Sequence, residues 1–502
     1  LLSHKNNNDQ EAFMTPTAFR SLAAAALAGA VHAALAQTPQ TLEEIVITAR
    51  SIEETLAVEL ADYGHDVEMV SADRINAAGY LDVSTALQYE VPGLFLSPEA
   101  GPFTYVDISV QGSRTGDVLW LLDGVRFNNR IFNTTTPDTM PAGMVERIEV
   151  LKGGESLFYG TQGVAGAVNI VTRSFSDDPD GELVLSADSQ SGYQLGGYGR
   201  GALGDHKFVF YGSKNESDGY EQFDIFQPSA TDRERGYDVE NLGVKYGYDF
   251  SERARLDLLY HHTDGVLDFL NPHRSKIGYN DRDEDVASLK LALDVADSVE
   301  LLIKGYLHDW DTHYANIQNA PLTFAEVVVS PPGSYWGFRD YGASALVKVT
   351  PDQSAAEYHV GYDYQNYEAR DDVFPIAGET ESVNALFAHV RSAEGAFERG
   401  SMAAGVRYNR ATSGKSATVW NLSGRYDIRG DALYLQGMLS TAFLLPSAEQ
   451  LYYVGFPPDD YAGNPNLEPE ESENINVSLG GRFMRGDSAF GWQVTAFARD
   501  ID

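Results

Sequence analysis

The side chains best suited to chemistry in this chain are acidic. Asp281, Asp283, Glu284 and Asp285 crowd four carboxylates into five residues beside an expected strand entry. Oxygen ligands at that spacing suit a structural Ca²⁺, with Asp281, Asp283 and Asp285 as its ligands; a solvated run of charge accounts for them too. Asp459 and Asp460, with Glu468, Glu470 and Glu471 nearby, form a second such run. His261, His262 and His308 offer imidazoles, but their spacing fits no metal constellation, and the chain has no cysteine. No Ser/His/Asp set, paired-carboxylate site or phosphate-cradling loop stands out, so the residues point to no enzyme and to no required cofactor. Binding fits better. Trp310, near an expected strand end, and Tyr335, Trp336, Tyr452 and Tyr453, with Tyr314, Phe456 and Tyr461, in long connections, place aromatic faces toward the expected loop side. Such faces suit an aromatic or macrocyclic ligand, and equally suit packing within loops or an interfacial girdle.

The balance of charge narrows the partners. With 73 Asp and Glu against 36 Lys and Arg, the 502-residue chain has a formal charge of −37. Nucleic acid needs a basic surface, so it is excluded. Solubility, or an exterior bridged by cations, remains as the reason for the acidity. The 28 Tyr, 24 Phe and 47 Gly suit many short strands and turns better than helical bundles. Near the start, Met14 to Arg20, an alanine-rich run and Ala34-Leu35-Ala36 have the charged, apolar and small-residue parts of a signal peptide. Residues 14–36 are read as that peptide and 1–13 as an upstream extension. The mature chain then begins near Gln37, outside the cytoplasm.

No other stretch approaches about 18 consecutive apolar residues, so a membrane could be crossed only by a barrel. Period-2 alternation recurs after about residue 180. Tyr358, Val360, Tyr362 and Tyr364 share one face, while His359, Gly361, Asp363 and Gln365 share the other. Leu242, Val244, Tyr246 and Tyr248 alternate with Gly243, Lys245 and Gly247, and Leu289, Leu291 and Leu293 with Lys290, Ala292 and Asp294. About fifteen strands are expected, including 286–296, 298–311 and 337–350, with long connections and tight turns alternating along the series. That asymmetry is the pattern of an outer-membrane barrel.

Between Val145 and Arg173 the chain reads VERIEVLKGGESLFYGTQGVAGAVNIVTR, two short strands around Gly153, Gly154, Gly160, Gly163 and Gly166. This stretch closely resembles the end of the plug domain of TonB-dependent outer-membrane receptors. Upstream, Glu44-Ile45-Val46-Ile47-Thr48-Ala49 resembles the TonB box, which pairs as an extended strand with the energy-coupling protein TonB. Leu87 to Pro92-Gly93-Leu94, the apolar Val118 to Leu122 followed by Asp123-Gly124, and Gly463 to Glu470 also match the family. Gln111-Gly112 stands where the family usually has Arg-Gly, which puts that arginine's ion pair in doubt.

The resemblance implies an all-β membrane barrel, about 22-stranded in the family, around an N-terminal α+β plug in the lumen. The expected division is 37–50 for the segment with the TonB box, 51–176 for the plug and 177–502 for the barrel. The chain ends at Asp502 without a closing aromatic-ended strand, so C-terminal truncation is expected. Glu146, Arg147 and Glu149 are expected to pair with wall arginines and position the plug. Implied partners are TonB, outer-membrane lipid and a scarce large cargo, a ferric siderophore or cobalamin, handled by a monomer of a Gram-negative cell. Oligosaccharide is the alternative cargo, and a passive channel or surface adhesin the alternative function.

Overall fold

A computed structural model describes residues 52–97, 102–221, 234–269, 275–373, 376–453, 462–485 and 488–502. The signal-peptide segment and Glu44 to Ala49 lie outside the described residues, as do Phe456, Asp459, Asp460 and Tyr461.

The first body opens with α1 (Ile52–Asp62), β1 (Asp66–Ser71), α2 (Ala72–Ala78) and α3 (Val83–Glu90). As the Ser-Ala-Asp sequence predicts, the Ser71 hydroxyl accepts from the Arg74 amide and caps α2, and Asp82 caps α3 in the same way. There follow β2 (Leu94–Leu96), β3 (Ile108–Val110), β4 (Val118–Leu122), β5 (Val125–Arg126), β6 (Val145–Lys152), the short α4 (Ser156–Tyr159) and β7 (Gly166–Thr172). Five of the strands form one sheet in the order β1-β6-β7-β4-β5, in which only β4 and β7 run parallel. Strand β4 is apolar at every position because both of its faces are covered. Val118, Trp120 and Leu122 join the main core with Val150, Val168 and Ile170; Leu119 and Leu121 pack with Ala167 on the opposite face.

The second body is a wall of fifteen antiparallel strands, each hydrogen-bonded to its sequence neighbour. They are β8 (Asp180–Ala187), β9 (Tyr193–Leu203), β10 (His206–Ser217), β11 (Tyr237–Ser251), β12 (Ala254–Asp268), β13 (Ser275–Ala296), β14 (Val299–Asn319) and β15 (Glu326–Val349). The series continues with β16 (Ala356–Asp371), β17 (Ile376–Ser392), β18 (Gly400–Ala411), β19 (Ser416–Asp427), β20 (Tyr434–Leu444), the short helix α5 (Ala448–Tyr452), β21 (Glu470–Arg485) and β22 (Ser488–Ile501). Two-residue turns join β9 to β10, β11 to β12 and β13 to β14 at one end; the 218–236 and 445–469 connections lie at the other.

Three strands run much longer than their alternation predicts. β14 and β15 continue as a projecting hairpin, and their pairing slips a register across Pro331, Pro332 and Gly333. A bulge there leaves the prolines without ladder bonds to donate, so the strand survives them. Asp281, Asp283 and Asp285 therefore lie inside β13, not beside its entry; Tyr314, Tyr335 and Trp336 lie in strands, not loops, and Trp310 lies well inside β14, not near its end.

The wall's two faces differ as the alternation requires. Leu258, Tyr260, Leu289, Tyr358, Val360 and Tyr362 are exposed on the outside, whereas His359 and Gln365 are buried on the inner face. No described helix is long and apolar enough to cross a membrane, which says nothing of strands.

Trp120 is fully buried at the centre of the plug sheet. Trp120→Ala is expected to destabilise the plug by about 3–5 kcal/mol. Limited proteolysis in graded urea should cut plug sites at lower denaturant while leaving the wall strands protected; equal resistance would contradict this core.

Candidate functional site

The site begins at a turn. Asp123 and Gly124 both adopt positive φ, 47° and 76°, as a two-residue hairpin turn between β4 and β5 requires. Gly124 has a second reason to be glycine: a Cβ there would collide with the Glu53 carboxylate and lie 2.9 Å from Lys304 Nζ. The crowding arises because three wall lysines converge on this turn. Lys245 of β11 pairs with the Asp123 carboxylate at 2.9 Å and donates to the Thr172 carbonyl at 3.2 Å. Lys290 of β13 donates to the Asp123 carbonyl at 3.1 Å and pairs with Glu53 at 2.5 Å. Lys304 of β14 pairs with Glu53 at 2.6 Å and donates to the Gly124 carbonyl at 2.5 Å.

Burial alone would raise both plug carboxyls. The lysines outweigh it, drawing Glu53 from its ordinary 4.5 down to about 2 and holding Asp123 below its usual range. Glu53 thus pins the start of α1 to one side of the wall. The far end of α1 is tied to another side, where Glu59 pairs with Arg391 at 2.5 Å, the Tyr63 hydroxyl donates to the Ser392 carbonyl at 2.6 Å, and Ser401 donates to the Asp62 carbonyl. The helix spans the short-turn end of the lumen as a crossbar.

At the long-loop end the plug is held differently. Arg130 pairs with Glu381 at 2.9 Å, donates to the Pro446 carbonyl and lies 4.7 Å over the Tyr367 ring. Arg282 of β13 pairs with Asp138 and lies over Trp310. Phe103 packs on Val239 and Leu267, and Arg235 donates to the carbonyls of Pro102 and Phe103. A cavity of about 510 Å³ opens beside Gln111 and Gly112, bounded also by Arg114, Asp117, Glu470 and Arg499. Arg114 is engaged by Asp117 at 2.8 Å and Glu470 at 2.5 Å.

The residues singled out in the sequence fall in several places. Of Glu146, Arg147 and Glu149, only Glu146 reaches a wall arginine, Arg200 at 3.2 Å; Arg147 and Glu149 pair with each other at 2.7 Å inside the plug. Glu149 also accepts from Asn169, so this pair knits β6 to β7 and does not reach the wall. Gly153, with φ 110°, has no room for a Cβ beside Asn476 at 2.5 Å; Gly160 lies against Arg407 and Gly166 against the Leu151 carbonyl.

The aromatic set divides. Trp310 is 1% exposed, stacked on Trp336 and Phe338 and met edge-on by Phe127, so the plug covers it. Trp336 meets Phe132 of the plug, and Tyr452 packs against the same core. Tyr335 lies on the other face of its strand, donating to Asp311 at 2.5 Å under the Arg370 guanidinium. The Tyr453 amide closes α5 onto the Glu449 carbonyl at 3.0 Å. Of the acidic run, Asp283 and Asp285 converge with His262, while Asp281 stands outside that group and Glu284 turns inward to His308 at 2.7 Å.

Glu53, Lys245, Lys290 and Lys304 escape a reading of the sequence. The alternation assigns Lys245 and Lys290 to a wet face, and their parity is the only signal; no local pattern says that the wet face meets a plug.

Comparison with known proteins gives a consistent result. The profile of the TonB-dependent receptor plug domain matches residues 59–167, and that of the TonB-dependent receptor-like β-barrel matches 172–502. A vitamin B12 transporter, BtuB, of Vibrio vulnificus is 25% identical over 96% of this chain and 74% of its own length. That of Photobacterium profundum is 23% identical over 91% and 70%. The siderophore receptor PirA from Acinetobacter baumannii superposes with a TM-score of 0.72 at 15% identity, covering 90% of this chain and 72% of that one.

Glu53→Gln leaves two buried ammonium groups short of a counter-charge, so α1 is expected to lose about 3–5 kcal/mol of docking. A spin label at the half-exposed Val58 should become mobile in the variant; an unchanged spectrum would remove Glu53 as an anchor. The pH dependence has a definite sign. Because the folded Glu53 carboxyl sits below its ordinary 4.5, its contribution is complete above that value and is lost as pH falls through about 2. The same label should stay immobile from pH 7 to about 5 and loosen only at lower pH.

Proposed function

This chain belongs to the TonB-dependent receptor family, and from that premise we propose that it is an outer-membrane receptor for energy-coupled uptake of cobalamin or a ferric siderophore. Cobalamin is the first choice because relatives aligned over nearly the whole chain are vitamin B12 transporters; the siderophore receptors support the fold alone. The cargo meets the receptor at the long-loop rim, where Trp336 and Tyr452 offer apolar surface beside the plug. The receptor acts as a monomer, exported by its signal peptide and surrounded by outer-membrane lipid. It is not an enzyme: its work is to bind and to move.

The three-lysine clamp supports this reading best. TonB would grip Glu44 to Ala49 as an added strand and pull. Glu53 lies four residues beyond Ala49, so tension reaches its ion pairs before any other described ion pair. Those pairs are largely shielded from solvent, and more water entering beside a displaced Glu53 weakens them by raising the local dielectric. Lys290 and Lys304 also hold the Asp123-Gly124 turn, so loss of Glu53 loosens β4, and through Thr172 the end of β7. No nucleotide need bind this chain, because the work comes from outside it.

A passive channel is the competing reading, and the plug core that fills the lumen speaks against it. Deleting residues 44–49 is expected to abolish uptake of cyanocobalamin while leaving its binding to whole cells unchanged. Uptake at the wild-type rate would overturn energy coupling. Uptake of ferric siderophores without uptake of cobalamin would reverse the choice of cargo.

A further inference from the structure

The outer face of the wall carries a feature that cargo uptake does not use. Residues directly opposite each other in antiparallel strands share a face. The pairs Glu240–Asp264, Asp264–Asp283 and Asp283–Asp311 therefore place four carboxylates in one cross-strand row over β11, β12, β13 and β14. The next row contains His262, Asp285 and Asp309 in register. Immediately beyond it lies the exposed apolar belt, beginning at Tyr260 on β12 and continuing to Leu258.

Like charges directly opposite one another destabilise a sheet, so neutralisation is needed. It is supplied at the margins. Lys214 pairs with Asp238 and, at 2.6 Å, with Glu240; Arg339 pairs with Asp309 at 2.5 Å; the Tyr335 hydroxyl donates to Asp311. The centre is left acidic. Among the described residues Asp264 and Asp281 have no cationic partner within ion-pair distance, and Asp283 has only His262, at 4.0 Å. His262 is 3.0 Å from an Asp285 oxygen that also accepts from the Tyr260 hydroxyl at 2.6 Å, and ligand atoms of His262, Asp283 and Asp285 all lie within 4.8 Å of one another. Two carboxylate oxygens and one imidazole nitrogen at those separations surround a point about 2.0–2.5 Å from each, the bond length of a divalent cation. Three protein ligands leave the outward positions of that ion open.

We infer that His262, Asp283 and Asp285 bind a divalent cation on the outside of the wall, and that its open positions take phosphate oxygens of the surrounding lipid headgroups. The site lies where the apolar belt ends, which is the depth at which headgroups meet a barrel. An acidic wall and a phosphate-bearing lipid repel unless a cation joins them, so the ion sets both the strength and the height of the contact. The imidazole favours Mn²⁺ and Zn²⁺ over Ca²⁺, since calcium prefers oxygen alone. The lipid half of this inference rests on the membrane reading of the wall; the cation half does not.

The test uses the receptor purified intact in phosphate-free detergent, titrated with Mn²⁺ and followed by electron paramagnetic resonance. The expected result is one bound ion, with affinity reduced at least tenfold in Asp283→Asn/Asp285→Asn and in His262→Ala. These positions are on the outer surface, and retained heat-modifiable migration on gels shows that the variants fold. No saturable Mn²⁺ binding, or equal binding by the variants, would overturn the site. Floating the receptor with vesicles then separates the phosphate sources. Cation-dependent retention by vesicles carrying phosphorylated lipid A, undiminished by millimolar inorganic phosphate, supports the lipid contact. Retention that ignores the cation, or is abolished by free phosphate, overturns it. Cobalamin uptake by the same variants should stay near wild type, so a failure of the transport reading would register separately.

Discussion

Three lysines buried along the inside of a β wall set the terms on which this molecule holds together. An ammonium group removed from water is expensive unless carboxylates and carbonyls meet it, and here Asp123, Glu53 and the Asp123-Gly124 carbonyls do so. The wall without its plug would leave Lys290 and Lys304 directly opposite each other on adjacent strands, with Lys245 two strands away on the same inner face. The plug without its wall would leave Glu53 and Asp123 without counter-charges. Each body supplies what the other lacks, so the plug seats in one orientation. Buried pairs of this kind contribute specificity of position more than net stability, since desolvation offsets most of the attraction. A plug held in this way is firmly placed while the seam is dry and releasable once it is wet.

The seam differs between its two ends, and the difference suits a receptor. Near the short turns the contacts are concentrated, with α1 tied across the lumen by Glu53, Glu59 and Tyr63. Near the long loops they are dispersed among an arginine over a tyrosine ring, a phenylalanine packed on valine and leucine, and donations to loop carbonyls. Between the ends runs a ladder of rings from His308 through Trp310 to Trp336, covered by Phe127 and Phe132 of the plug. Disturbance at the crossbar thus meets the ion pairs of α1 first, and the Arg282–Asp138 and Arg130–Glu381 pairs near the long loops only later.

Several expectations failed for reasons that are physical and local. Trp310 was expected at a ligand-facing rim, but its side chain turns inward under Phe127 of the plug, and β14 continues to Asn319 beyond it. The acidic run at 281–285 was expected beside a strand entry, yet it alternates inside one. Its odd members face outward, and Glu284 turns inward to His308. Glu149 was expected to bridge to the wall; one residue's change of parity from Glu146 along β6 points it into the plug instead.

By itself the sequence determined the classes of element and their order. Alternation of apolar and polar residues identified the wall strands and which face of each is wet, because side chains in a strand alternate whatever lies around them. The glycine-rich run from Val145 to Arg173, Ser71 before α2 and the Asp123-Gly124 turn were legible for the same reason: each reflects backbone geometry set within a few residues. What the wet face touches was not legible. Lys290 reads as an ordinary inward lysine until the tertiary structure brings Glu53, more than two hundred positions earlier, within 2.5 Å. Register decided the acidic row in the same way, since only pairing of four strands sets Glu240, Asp264, Asp283 and Asp311 side by side. Local chemistry prescribes a strand or a turn; a buried charge is explained only by the partner that the fold delivers to it.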